Sequence, residues 1–451
     1  MTQSALSKRL LDEYAAVSDS LPTDVVSAER RQEAIQALAA RGLPTTREEN
    51  WRYTNLRPLE RARFAPVAAA AAAAAPTVIP AGLDLPSTLT GFARFTFVDG
   101  TFAPELSSEH AQAGSTVRNL RRAPESSARR QGSTAGTRPL TAPSGCPEAS
   151  LALLNEAFAT DTALISVRGG TDAPQRVELV FVAVAGADVG ASYPRIQVAL
   201  DPDSRLILVE RHVSAGSGAS FVNSSVSVDI GRGAHLTHYR LQRAGARSAW
   251  LDTLTAVLAA DGRYSLLTIN TGGLSARSTT QVQMAGPGAE LILSAAALGD
   301  RQQTQDHFAL VEHIAPRART DQTFRGIASG RARVAFNGKI TVREAAAGTD
   351  SRQSLRGLLA GPAAEIDVRP QLEIYTDDVR CSHGATAGKL DDSMLFYLLS
   401  RGLSPEVAQR LLKWAFLEDV VSKIELPELR RQIEHDLAGQ MADAASLKEL
   451  L

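Results

Sequence analysis

A chain of 451 residues, 44% apolar and 22% charged, has the composition of a folded protein and is too long for one ordinary core, so two or three structural regions or one elongated repeat are expected. With 48 basic against 49 acidic residues the net charge is -1, which excludes a global field able to hold nucleic acid or an anionic membrane. Two cysteines cannot make a disulfide framework, no stretch approaches the roughly 18 apolar residues of a membrane span, and the acid-bearing start "MTQSALSKRLLDEYAAVSDS" is unlike a secretory signal; the expected setting is reducing and cytoplasmic.

Residues 1–64 read as an N-terminal helical region. Ser27 can cap a helix with Ala34, Ile35 and Leu38 on one side, ended by Gly42 and Pro44, and Thr46 with Glu49 has the spacing of a capping box. The aromatic and basic stretch "NWRYTNLRPL" follows. Residues 65–162 read as an Ala/Pro/Ser-rich linker and irregular segment with one helix at "PEASLALLNEAFA". Two inserts mark it: an alanine run at 65–76, bounded by Pro66 and Pro76, and a Ser/Arg/Gly/Pro-rich loop at 107–146 that contains Cys146.

From 163 to 388 the pattern becomes short alternating runs such as "RVELVFVAV", "RLILVERHV", "AELILSAAAL" and "AEIDVRPQLEIY", punctuated by Gly, Pro, Asp or Asn. No ten-residue helices intervene, so a doubly wound sheet is disfavoured. The turns "GRGAHL", "DGRYSL", "GPGAEL", "SGRARV" and "GPAAEI" recur at intervals of roughly 26 to 42 residues. Such a degenerate repeat predicts a mainly β fold with a β-helix, or solenoid, core flanked by helical regions; the rival is a two-sheet sandwich, which this many strands would overfill. The end coils of a solenoid expose backbone groups that need a cap or a partner.

Residues 389–451 read as a C-terminal helical domain. Asp391 or Asp392 caps a helix through "MLFYLLS", Ser404 caps a second with Pro405 in its first turn, and Pro427 opens a third. On the second, Val407, Leu411 and Ala415 form one line, and Leu412, Phe416, Val420 and Ile424 a neighbouring one.

Cys381 and His383 stand at the passage from strands to helices. Two residues apart in an extended segment they share a face, with Cα atoms about 6.5 Å apart, so thiol and imidazole can address one metal ion or cluster but fall short of the usual four ligands. Cys146 is distant in sequence, His235 and His238 face opposite sides of a strand, and His212, His307 and His313 stand singly. A Cys–His nucleophile lacks the geometry and any sign of an oxyanion hole, and a buried thiol beside a backbone-bonded histidine is the plain alternative. No G-x-x-x-x-G-K-[ST] occurs, so any ATP use belongs to a partner.

"DDVRCSHGATAGKLDDSMLFYLLSRGLS", with "VVSKIELPELR" after it, resembles the C-terminal signature of the SufB/SufD family of SUF iron-sulfur assembly scaffolds, and "REENWRYTNLRPL" its amino-terminal motif. "CSHGAT" resembles the SufD branch, since the SufB version has Glu where Ser382 and Gly384 stand. The resemblance implies a right-handed parallel β-helix that pairs with a SufB-like paralogue, helical C-terminal segments that take a SufC-like ATPase, and a transient iron-sulfur cluster built at the shared junction. By position it implies a role for His383 in cluster assembly, with Cys381 a second participant. A non-catalytic scaffold is the function this implies; self-pairing of the isolated chain stays open, and no residue supports a bound reduced flavin. The rivals are a β-solenoid carbohydrate-active enzyme, for which Glu210, Glu290 and Glu373 stand as isolated acids rather than stacked pairs, and a purely structural solenoid.

Overall fold

The computed structural model describes residues 5–67, 85–108, 115–119, 149–170, 173–184 and 189–441. Most of the two inserts, Cys146 included, lies outside the described residues. Among the described residues six helices, α1 (Ala5–Val17), α2 (Ala28–Arg41), α3 (Ala149–Phe158), α4 (Asp392–Ser400), α5 (Pro405–Val421) and α6 (Pro427–Gln440), flank two ten-stranded sheets.

The chain steps from one sheet to the other and back. Arg205–Ala215 lies in the first sheet, Ser220–Ile230 in the second and His235–Arg243 again in the first; the last coil is Glu365–Ile374 and Val379–Gly388. Successive strands within each sheet pair in parallel, in register, which makes a parallel β-solenoid of about seven turns. The reason is visible strand by strand. In Arg195–Leu200, Ile196, Val198 and Leu200 are buried and the residues between are less so; they join one core with Leu236, Leu254, Phe324 and Ile340 from both sheets. One coil cannot bury this face alone, so each depends on the next.

The outer faces are covered as well. Helices α1 to α3, with Trp51 and Phe64, pack on Tyr193, Phe221, Ala249 and Leu251 of the second sheet side. Helices α5 and α6 pack on Val209, Tyr239, Leu267, Ala296 and Ile327 of the first. Strands covered on both sides, such as Ser275–Met284, are therefore buried almost throughout, although their outward residues are polar.

The turn repeat has a geometric origin. "GRGAHL", "DGRYSL" and "GPGAEL" lead into strands of the first sheet, whereas "SGRARV" and "GPAAEI" lead into the second. Mixing two turn families produced the irregular spacing; from Arg205 onward stacked strands pair at offsets of 26 to 32 residues. Stacking is close enough that a Cβ at Gly286 would lie 1.9 Å from the Ala260 nitrogen, and only glycine fits.

Several local expectations need correction. Ser27, Asp391 and Ser404 do cap their helices, but the capping box at Thr46 and Glu49 is absent: Glu48 instead accepts from the Thr45 amide, ahead of a short 3-10 turn at Glu49–Trp51. Residues Ala93–Val98, read as part of an irregular segment, form a strand parallel to Gln175–Val184 and extend the first sheet. On α5 the buried side chains are Ala408, Arg410, Trp414, Leu417, Val420 and Val421, while Ala415 is exposed.

Burial also sets a pH dependence. His307 and His313 lie inside the solenoid, where desolvation, helped for His307 by nearby Arg277, pushes their pKa down to about 3 and about 4. The unfolded chain takes up these protons below about 6.5 and the folded chain does not, so stability is full above that pH and falls as pH drops towards the folded values. The expected slope between roughly pH 5.5 and 4.5 is about 2–3 kcal/mol per pH unit. Urea midpoints across this range check it; a flat profile would show these histidines to be protonated or exposed.

Candidate functional site at the open end of the solenoid

Among the described residues Val379–Gly388 pairs on one side only, with Thr349–Leu359, and Glu365–Ile374 pairs only with Arg333–Val342. Both strands of the last coil thus present a free row of backbone N–H and C=O groups, ten residues long in each case. Nearly every residue of the last strand is exposed, in contrast to the strands beneath it.

Cys381 and His383 lie on this strand and share its inward face, in register above Ser351 and Gln353. Cys381 is half-buried against the core beside Val379; His383 is exposed. Among the described residues neither side chain has a hydrogen-bond partner. Burial, with Asp350 nearby, pushes the Cys381 thiol up, so it holds its proton at neutral pH until a cation or metal draws near. No group of three or more His, Cys, Asp or Glu able to hold a metal ion occurs among the described residues. The thiol and the imidazole are therefore two potential donor groups on the inward face of the strand that ends the stack.

The other sequence candidates are elsewhere. His212 and His238 are buried in the lumen with Glu210, while His235 lies on the outward side of its strand. Glu210 accepts from His212 Nε2 (2.6 Å), His238 Nε2 (3.1 Å) and Arg240 (2.7 and 2.9 Å), and Arg240 also donates to both oxygens of Asp252. Because His238 gives its Nε2 proton to the carboxylate, its Nδ1 accepts from the Tyr264 hydroxyl. Glu290 and Glu373 pair with Arg263 and Lys339 on the surface. These carboxylates are occupied by counterions and do not line a shared groove.

Apolar surface gathers around the same end. Ile374 and Tyr375 close the penultimate strand, and α4 buries no residue at all, leaving Met394, Phe396 and Tyr397 exposed at 59%, 73% and 56%. A groove of about 380 Å³ runs between the last strand and the helices, lined among others by Thr386, Leu390, Met394, Leu412 and Phe416. Periodicity alone had not distinguished these side chains from core, because an apolar helix face looks the same whether its cover belongs to the same chain or another.

Two family models cover the chain: the "SUF system FeS cluster assembly, SufBD core domain" matches residues 181–416, and the "SufBD protein N-terminal region" matches residues 5–179. The chain belongs to the SufBD family of the SUF system. It is 29% identical to the iron-sulfur cluster assembly protein SufD of Escherichia coli over 404 residues, 89% of this chain and 90% of that protein. It is 27% identical to a SufBD family protein of Synechocystis over 448 residues, 96% and 95% of the two chains. A chloroplastic protein of Arabidopsis thaliana, ABCI7, is 30% identical over 250 residues, 55% of this chain and 53% of that one.

The SufBD core match spans the solenoid coils from Phe181 onward and ends within α5, so the open end with Cys381 and His383 falls inside it. As a SufBD protein the chain has a role in iron-sulfur cluster assembly. No helix among its described residues is long and apolar enough to cross a membrane.

Proposed function

We propose that this SufBD chain is a non-catalytic, cytoplasmic scaffold subunit whose last coil is completed by the end coil of a SufB-like paralogue, and whose C-terminal helices dock a SufC-like ATPase. The observation that carries the reading is the uncovered last coil, whose two strands each leave one backbone edge unpaired among the described residues and whose final strand carries a thiol and an imidazole facing the same way. An iron-sulfur cluster is then the cargo, held transiently between the two subunits. Cys381 and His383 supply part of its ligand set and the paralogue the rest. Strand addition across the junction would satisfy the free backbone groups at the same time.

The exposed apolar side of α4 and the groove beside α5 support a protein partner on the helical flank. Movement of that partner through its ATP cycle would be transmitted to the last strand, because α4 follows it directly.

Purification of the tagged chain from its own cells is expected to bring down a P-loop ATPase and a second β-solenoid chain, and the complex is expected to acquire an iron-sulfur chromophore on anaerobic reconstitution. A chain that elutes alone under gentle lysis, with no chromophore after reconstitution with a SufB-like subunit, would end this reading.

A further inference from the structure

We propose that Gln353 is a positioning residue for His383: its side-chain carbonyl accepts a ring N–H of His383 and so fixes which imidazole nitrogen faces out of the open end. The inference rests on the reading of His383 as a cluster contact, but its test does not need a partner.

The lumen beneath the last strand is built mainly from Phe324, Phe336, Ile340 and Leu355, all buried. Within it two glutamines lie one above the other. Gln353 donates from Nε2 to Gln322 Oε1 (2.9 Å) and to the Gly338 carbonyl (3.1 Å). Room for the pair exists only because residue 338 is glycine, since a Cβ there would lie 2.9 Å from Gln353 Nε2 and 2.8 Å from the Phe336 ring. The arrangement holds the Gln353 amide by its nitrogen and leaves its oxygen, buried, with no partner. An unpaired buried carbonyl is destabilising, and leucine at this position would avoid that cost. The polar group therefore calls for a role.

His383 is the residue directly above Gln353 in the parallel register, about 4.8 Å away along the sheet; its ring, like the Gln353 oxygen, has no hydrogen-bond partner among the described residues, so the proposed bond forms by a turn of the exposed ring onto that oxygen. Two residues back along the strand the pattern repeats: the buried Ser351 hydroxyl has no partner and lies in register beneath Cys381. Two orphaned polar atoms in the penultimate coil thus stand under the two candidate ligands. A ring N–H bound to Gln353 leaves the opposite nitrogen with its lone pair directed outward, the form a metal requires, and prevents the ring from turning.

The test is the tautomer of His383 in the isolated chain. Long-range proton-nitrogen correlation spectra of nitrogen-15 histidine-labelled protein, recorded at a pH where imidazoles are neutral, distinguish a single tautomer from an averaged one; the His383 signals are assigned by their loss in His383→Gln. The native chain is expected to show two well-separated ring-nitrogen shifts. Gln353→Leu should bring them towards the averaged positions of a free imidazole, and Gln353→Glu, which keeps an acceptor, should retain the separation. If Gln353→Leu does not fold, Gln353→Met takes its place, with urea midpoints confirming the native state. Identical spectra for the native chain and the apolar variant would overturn the proposal. A His383→Ala chain that still supports cluster assembly would instead remove the functional reading while leaving this hydrogen bond intact.

Discussion

Replacing Glu210 with leucine should destabilise the fold by about 3–5 kcal/mol, the range for removing one member of a buried ion network. The carboxylate is fully buried and accepts from Arg240, His212 and His238; burial alone would raise its pKa, and Arg240 with the two imidazoles outweighs that and holds it well below the usual carboxylate range. Without it Arg240 keeps only Asp252, and two imidazoles lose their acceptor in a dry lumen. A triple replacement of Glu210, Arg240 and Asp252 by apolar residues of similar volume should be less costly than the single change, because no unpaired charge is left behind. Urea unfolding of the three proteins decides it: a single variant within about 1 kcal/mol of the native chain would mean that water or a side-chain shift rescues the site. Since the carboxylate's folded pKa is depressed, its contribution is present above the unfolded value near 4.5 and is lost as pH falls towards the folded one.

The second large effect is functional. His383→Ala should change stability little, since the side chain is exposed, yet lower cluster assembly in cells on the order of tenfold or more, the scale seen when metal-site groups are removed. The activity of a reporter iron-sulfur enzyme in cells carrying only the variant gives the measure. Cys381→Ser should have a smaller effect, because the thiol is half-buried and held protonated by its surroundings. Undiminished reporter activity in the histidine variant would remove His383 from the site.

Much of this could be read before any coordinates. Inward Ile196, Val198 and Leu200 announce a strand with one buried face, and glycines in the turns announce coils stacked at close range. The pairing of Cys381 with His383 followed from strand periodicity alone. The Gln322–Gln353 ladder did not, because its members are 31 residues apart and only the register of the coils brings them together. Trp51 shows the same limit. Its aromatic, basic setting gave no sign of what would cover it, and the indole is fully buried beneath the Arg277 guanidinium, 4.0 Å away, with Arg277 paired to Asp306 and Asp306 accepting from Thr54. A charge in the sequence does not say which aromatic ring, more than two hundred positions distant, will cover it.

By itself the sequence determined the local grammar: short alternating strands, capped helices, a stacked rather than sandwiched β architecture, and a thiol beside an imidazole on one face. These follow from side-chain direction and turn chemistry, which act over a few residues. Only the tertiary structure decided which strand would end the stack, which polar atoms would be stranded in the lumen beneath it, and which apolar helix would be left without cover. Those outcomes depend on the register of every coil below, since in a parallel stack each side chain's neighbours are set by a whole turn of chain rather than by the residues beside it.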